Sequence, residues 1–202
     1  LALSYAPRMV ARRTDRVATY ADIEALPRHV VGEIIGGVLH ASPRPAVRHA
    51  RTASVIGGKL GAPFDWGDGP GGWILLDEPE IHLGSDVVVP DLAGWRRERL
   101  PELPDTAFLV VPPDWICEVL SPSTAKVDRT EKLPIYARER VAHVWFVDPI
   151  ARTLEVLRLD DTTHRIVGLW HDDASVRAEP FDAIELELRA WWTSVETSSA
   201  TR

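Results

Sequence analysis

Two apolar runs with the make-up of core strands each carry a carboxylate, and this conflict constrains the chain more than any other feature. Val87-Val-Val-Pro-Asp-Leu-Ala-Gly-Trp95 and Trp115-Ile-Cys-Glu-Val-Leu120 are rich in β-branched and aromatic residues, yet Asp91 and Glu118 stand inside them. An ionised carboxylate in such a setting costs several kcal/mol unless its charge is answered. Either arginines answer it, as structural ion pairs, or the two side chains share a hard divalent cation through oxygen ligands. Pro90 sharpens the problem: it cannot donate to a ladder, so it is tolerated at an edge or a bulge, where it can re-aim the next side chain.

The rest of the chain reads as an α+β (mixed α/β) domain. Thr19 is a suitable N-cap for a short helix ending at Pro27, and Val30–Ile35 and Val38–His40 flank a Gly36-Gly37 turn as a hairpin. Pro45 opens a helix to about Leu60, with Val47, Ala50, Ser54, Val55 and Leu60 inward and Arg44, Arg48 and Arg51 outward. The glycine-rich segment 61–72 is a loop. Strands follow at Trp73–Leu76, Glu80–Leu83, Asp86–Trp95 and Trp115–Leu120, then at Val141–Val147, Thr153–Leu159 and Arg165–Trp170. Residues 1–18 read as a mobile tail, 19–192 as one domain and 193–202 as a polar tail. Arg8, Arg12, Arg13 and Arg16 precede no apolar stretch of the kind a secretory leader needs.

Composition decides less than its distribution. The net charge is −7, but Glu155 to Glu187 holds nine acids against three arginines, whereas Arg44 to Lys59 has four bases and no acid. A basic segment with a nucleic-acid partner is compatible with an acidic total, since Arg44, Arg48 and Arg51 could meet a phosphate backbone. They could equally form a solvated helix face. One cysteine, Cys117, rules out an internal disulfide and a multi-cysteine zinc site, and points to a reducing, cytoplasmic setting in which a core thiol stays inert. No run is long and apolar enough to span a membrane.

Downstream of Glu118, Ser121-Pro-Ser-Thr124 leads into Asp128, Lys132 and Tyr136, four residues apart and so on one face if the helix is continuous through Pro134. A lysine beside two metal-bound carboxylates can orient a water and offset charge gathering on phosphorus; a lysine on a surface helix does nothing of the kind. Glu33, before the Gly-Gly turn, is either a third acid or an exposed strand residue. His49 sits in the basic helix as a phosphate contact or a hydrogen-bonded side chain.

Pro90-Asp91, Glu118-Val-Leu-Ser-Pro-Ser-Thr124, Asp128, Lys132-Leu-Pro-Ile-Tyr136 and Val144-Trp-Phe-Val-Asp-Pro149 resemble the Uma-type putative restriction endonuclease family, within the PD-(D/E)XK nuclease superfamily. The resemblance runs from about Tyr20 to Trp192. It implies a restriction endonuclease-like core, a mixed central sheet flanked by helices, with catalytic Glu33, Asp91, Glu118 and Lys132, and Mg²⁺ (or Mn²⁺ in its place) on Asp91 and Glu118. In the simplest superfamily pattern the lysine follows the acid by two residues; Leu120 stands there, so the resemblance assigns the role to Lys132. The implied activity is metal-dependent hydrolysis of DNA phosphodiesters, with a homodimer supplying two centres for a duplex. The alternative is an inactive nucleic-acid-binding or structural module on the same fold.

Overall fold

The computed structural model describes residues 10–12 and 16–192. In chain order the elements are β1 (Val10–Arg12), α1 (Tyr20–Glu24), β2 (Val30–Ile35), β3 (Val38–Pro43), α2 (Val47–Gly61), β4 (Trp73–Asp77), β5 (Ile81–Leu83), β6 (Asp86–Val88), β7 (Leu92–Arg96) and β8 (Trp115–Val119). They continue with α3 (Ala125–Val127), α4 (Leu133–Arg138), β9 (His143–Asp148), β10 (Thr153–Asp160), β11 (Thr163–His171), β12 (Ser175–Val176), β13 (Leu186–Glu187) and α5 (Arg189–Trp192).

Two sheets divide the strands. An antiparallel sheet has the order β1-β3-β2-β6-β5, and a mixed sheet has the order β11-β10-β9-β8-β7-β4, with β8 and β9 parallel. A parallel pair needs a crossover, and here the crossover is α3 and α4, carried over the face of the mixed sheet. That topology hangs residues 125–138 above the strand that bears Glu118.

Alternation along β8 sends Trp115, Cys117 and Val119 to one core, with Ile56 and Leu60 of α2 and with Phe181 and Trp191. Ile116 and, beyond the strand, Leu120 go to the other, shared with Ile35, Val88, Ile135 and Tyr136. This second core lies between the two sheets, and both Glu118 and Glu33 point into it, since Glu33 is two residues from Ile35 on β2. Ile34 turns the opposite way, beneath Ile23 and Leu26.

Several expectations are corrected. The strand read over Asp86–Trp95 is two strands in different sheets, broken where Pro90 removes a donor, so Asp91 leads β7 instead of lying in mid-strand. The helix after Pro45 buries Thr52, Ile56 and Leu60, while Val47 is 87% exposed and Ala50 and Ser54 face solvent. Thr52 misled the phase: it is polar, but its Oγ1 donates to the Trp191 carbonyl at 2.9 Å and is fully covered. Part of the glycine-rich loop is a π-helical turn, Ala62–Trp66. Val10–Arg12 pairs with β3, so the segment read as a tail contributes a strand. The polar tail read over 193–202 lies outside the described residues.

Candidate active site

Four elements converge on a cleft of about 550 Å³. Asp91 enters from the break between β6 and β7, Glu118 from mid-β8, Glu33 from β2, and Asp128 and Lys132 from a π-helical turn, Asp128–Lys132, between α3 and α4. The wider turn absorbs Pro134: the ring falls in the first turn of α4, where a missing N–H costs least. The helical run therefore continues through the proline, and the spacing of Asp128, Lys132 and Tyr136 does put them over one place.

Lys132 is the hub. Its Nζ lies 2.9 Å from Glu33 Oε1, 3.2 Å from Glu118 Oε1 and 3.3 Å from Asp128 Oδ1, with all four side chains buried. Tyr136 donates its O–H to Glu118 Oε1 at 2.5 Å, and Glu33 Oε1 also accepts the Val89 N–H at 2.8 Å. Leu120 is buried among apolar neighbours, so the position two after Glu118 offers no ammonium.

Asp91 is held at both oxygens. Oδ2 accepts the Val119 N–H at 2.7 Å, and Oδ1 lies 2.5 Å from His49 Nε2, hydrogen-bonded to it. The Pro90 break thus lets one carboxylate cap the end of β8 while facing the cleft.

Burial drives the electrostatics. It pushes the Glu118 carboxyl well above the ordinary range; Lys132 opposes the push, and Asp128, Asp91 and Glu33 add to it. Asp128 is raised for the same first reason. Burial would lower the Lys132 ammonium, but Glu118 and Glu33 outweigh it and hold the group well above its usual value, so Lys132 stays charged. His49 is raised because the hydrogen bond and charge of Asp91 exceed the cost of burial. Four carboxylates thus face one ammonium and one imidazole.

That surplus of hard oxygen donors suits a hard divalent cation. Among the described residues no three His, Cys, Asp or Glu side chains form a metal-holding group. Asp91 and Glu118 could supply two carboxylate ligands, the number Mg²⁺ ordinarily takes from protein while keeping several waters and substrate oxygens for the remainder.

The basic residues separate. Arg44 lines the cleft and meets Glu78 across its mouth at 3.1 Å, whereas Arg48 and Arg51 lie on the exposed side of α2, outside the cleft lining. Glu78 itself holds a positive φ of 45° while its N–H donates to the Asp91 carbonyl at 3.0 Å.

A family model described as "Uma2: Putative restriction endonuclease" matches residues 17–190. The chain belongs to the Uma2 family. The Uma2 chain also shares its fold with a solved structure described as a putative nuclease belonging to DUF820 from Anabaena variabilis ATCC 29413, at a TM-score of 0.70 and 21% identity, covering 87% of this chain and 97% of that one. No curated protein matches it.

Beyond Glu33, Asp91, Glu118 and Lys132, Asp128 and His49 also line this Uma2 cleft, and Tyr136 is buried against Glu118. Asp128 and Tyr136 were marked by their four-residue spacing from Lys132. His49 is the hydrogen-bonded side chain of the two readings its place on the basic helix allows, but nothing local in the sequence names Asp91 as its partner.

Proposed function

We propose that the protein is a metal-dependent endonuclease that hydrolyses DNA phosphodiesters, with Mg²⁺, or Mn²⁺ in its place, on Asp91 and Glu118. The observation that carries this reading is the position of Lys132, whose ammonium lies 3.2 Å from Glu118 in a cleft shared with Asp91. A bound divalent cation would supply Lewis-acid polarisation of a phosphoryl oxygen and a more acidic water.

The chain's own groups do the rest. Glu33 and Asp128 fix the Lys132 side chain, whose N–H groups can donate to the attacking water or to a non-bridging phosphate oxygen. His49 and the Val119 N–H fix Asp91, so the carboxylate needs no reorganisation when substrate arrives. Arg44 at the mouth can take a flanking phosphate. A water oxygen joins phosphorus as the 3′-oxygen departs, giving a 5′-phosphate and a 3′-hydroxyl. Apolar walls from Val31, Pro43, Pro45, Val89 and Pro122 limit bulk water around these dipoles.

The test is nicking and linearisation of supercoiled plasmid with Mg²⁺, with Mn²⁺ and with chelator, using the wild type, Asp91→Asn and Glu118→Gln. Metal-dependent cleavage lost in both variants supports the reading. Metal-independent retention of DNA with no cleavage would instead favour an inactive binding module.

A further inference from the structure

We propose that β11 is the pairing edge through which two copies of this chain associate, joining their mixed sheets into one antiparallel twelve-stranded sheet about a twofold axis. Among the described residues β11 is the outermost strand of the mixed sheet, nine residues long, and nothing pairs with its outer side. A long, apolar, unpaired edge is a template for another strand. Ile166, Val167 and Leu169 are 59%, 41% and 59% exposed, which makes this strand the densest concentration of exposed large apolar side chains in the described chain.

The register against β10 decides what fits there. Leu157 pairs with Ile166 and Val156 with Gly168, leaving Val167 as the extra residue of a bulge. Because of that bulge Ile166 and Leu169, an odd number of positions apart, share one face of the sheet, whereas in a regular strand they would lie on opposite faces. A second β11, antiparallel and centred between Val167 and Gly168, then sets Ile166 of each copy opposite Leu169 of the other. The same register sets Arg165 opposite Trp170 and His164 opposite His171, each pair sharing a face.

Charge selects a second copy over an arbitrary strand. From Ile166 to Trp170 the edge carries no charge, and it is flanked by Arg165 at one end and Asp172 and Asp173 at the other. Antiparallel self-pairing brings each end against its opposite, setting Arg165 beside the acidic turn that follows His171 in the second copy, where Asp172 is the nearest acid in sequence. In the single chain Arg165 pairs with Asp160 and Asp172 with His171, both at exposed positions, so either group can add the new partner at little cost. The inference rests on the edge alone and not on the DNA-cleavage reading.

Sedimentation equilibrium of the full chain over a concentration series tests it. The wild type is expected to be a reversible dimer, and Ile166→Lys and Leu169→Lys, both exposed changes that leave the core untouched, should each raise its dissociation constant by about tenfold or more. Arg165→Asp and Asp172→Arg should each weaken the dimer, and combining them should restore it. As a register test, Ile166→Cys with Leu169→Cys should oxidise to a covalent dimer, since directly opposed Cβ atoms lie about 4.5–5.5 Å apart. A wild type that stays monomeric into the high micromolar range, or a dimer unaffected by the lysines and not cross-linked by the cysteines, overturns the proposal. Metal-dependent cleavage is assayed separately, so failure of one result does not stand for failure of the other.

Discussion

Removing the Lys132 ammonium leaves Glu33, Glu118 and Asp128 facing one another in a buried space with no cation between them. Lys132→Met should therefore destabilise the protein by about 3–5 kcal/mol, the loss expected when one partner of a buried ion pair is taken away. Adding Glu118→Gln should return part of it, because the amide can still accept from Tyr136. Urea unfolding of the two variants checks this; equal stabilities for the single and double variant would contradict it. On cleavage, Lys132→Ala assayed under saturating Mn²⁺ and below its lowered melting temperature should be slower by about 10²-fold or more, the effect of losing one stabiliser of transition-state charge. On the metal-dependent reading, Mg²⁺ should raise the wild type's Tm, and Glu118→Gln should keep the fold while abolishing that rise, since burial already favours the neutral carboxyl in the absence of metal. A Mg²⁺-induced rise that survives the substitution would remove Glu118 from the metal's shell.

At the level of elements, α2 has two unrelated sides. Ile56 and Leu60 are completely buried against the mixed sheet, so Ile56→Ala should cost about 2–5 kcal/mol, measured by denaturant midpoint. Arg48→Gln and Arg51→Gln should leave stability within about 0.5 kcal/mol. Their effect on DNA should also differ from that of Arg44→Gln. An arginine that neutralises a phosphate steepens the salt dependence of binding by about one slope unit, so its replacement by glutamine flattens the dependence by as much. Arg44, inside the cleft, should lower cleavage as well as affinity when replaced, whereas Arg48 and Arg51 should touch affinity alone. Binding isotherms at several salt concentrations, read beside cleavage rates, separate the two. What could be read in the sequence follows the same division. Glu118 in an apolar run, the four-residue steps to Lys132 and Tyr136 and the helix-opening Pro45 are local patterns, and each led to the observed placement. The buried side of α2 was misread because it starts at Thr52, whose partner is a carbonyl 139 positions away, at Trp191. The His49–Asp91 pair is hidden for the same reason, being made by two segments 42 positions apart. Pro90 warned of an irregular edge, but that the chain changes sheets there is a tertiary fact.

For the whole molecule, acid tolerance should depend on two half-buried histidines of the mixed sheet, one on β9 and one on β11. His143 of β9 is lowered first by burial, only partly answered by Glu179, and His164 of β11 is lowered by burial while it donates to the Val141 carbonyl at 2.9 Å. Both titrate below the unfolded value of about 6.5. The unfolded chain thus binds more protons as pH falls, so their contribution is complete above that value and is lost as pH drops through the folded ones. His49 is shifted the other way and partly opposes this. The prediction is a fall in unfolding free energy on mild acidification that is smaller in a His143→Gln, His164→Gln variant; an unchanged fall would show that these two histidines do not set the acid sensitivity.

Cys117 gives the molecule a clock of its own. The single thiol of the chain lies one residue before Glu118, fully covered in the core behind β8, and burial pushes its ionisation well above the ordinary thiol range. A disulfide-exchange reagent needs the thiolate in contact with solvent, so it can label Cys117 only in molecules whose mixed sheet has opened. With reclosing faster than labelling, the rate divided by that of a free thiol is the open fraction, read directly under native conditions. Because the opening that frees this sulfur also takes Glu118 out of its place between the sheets, the same number gives the fraction of molecules whose carboxylate-lined cleft is at that moment dismantled.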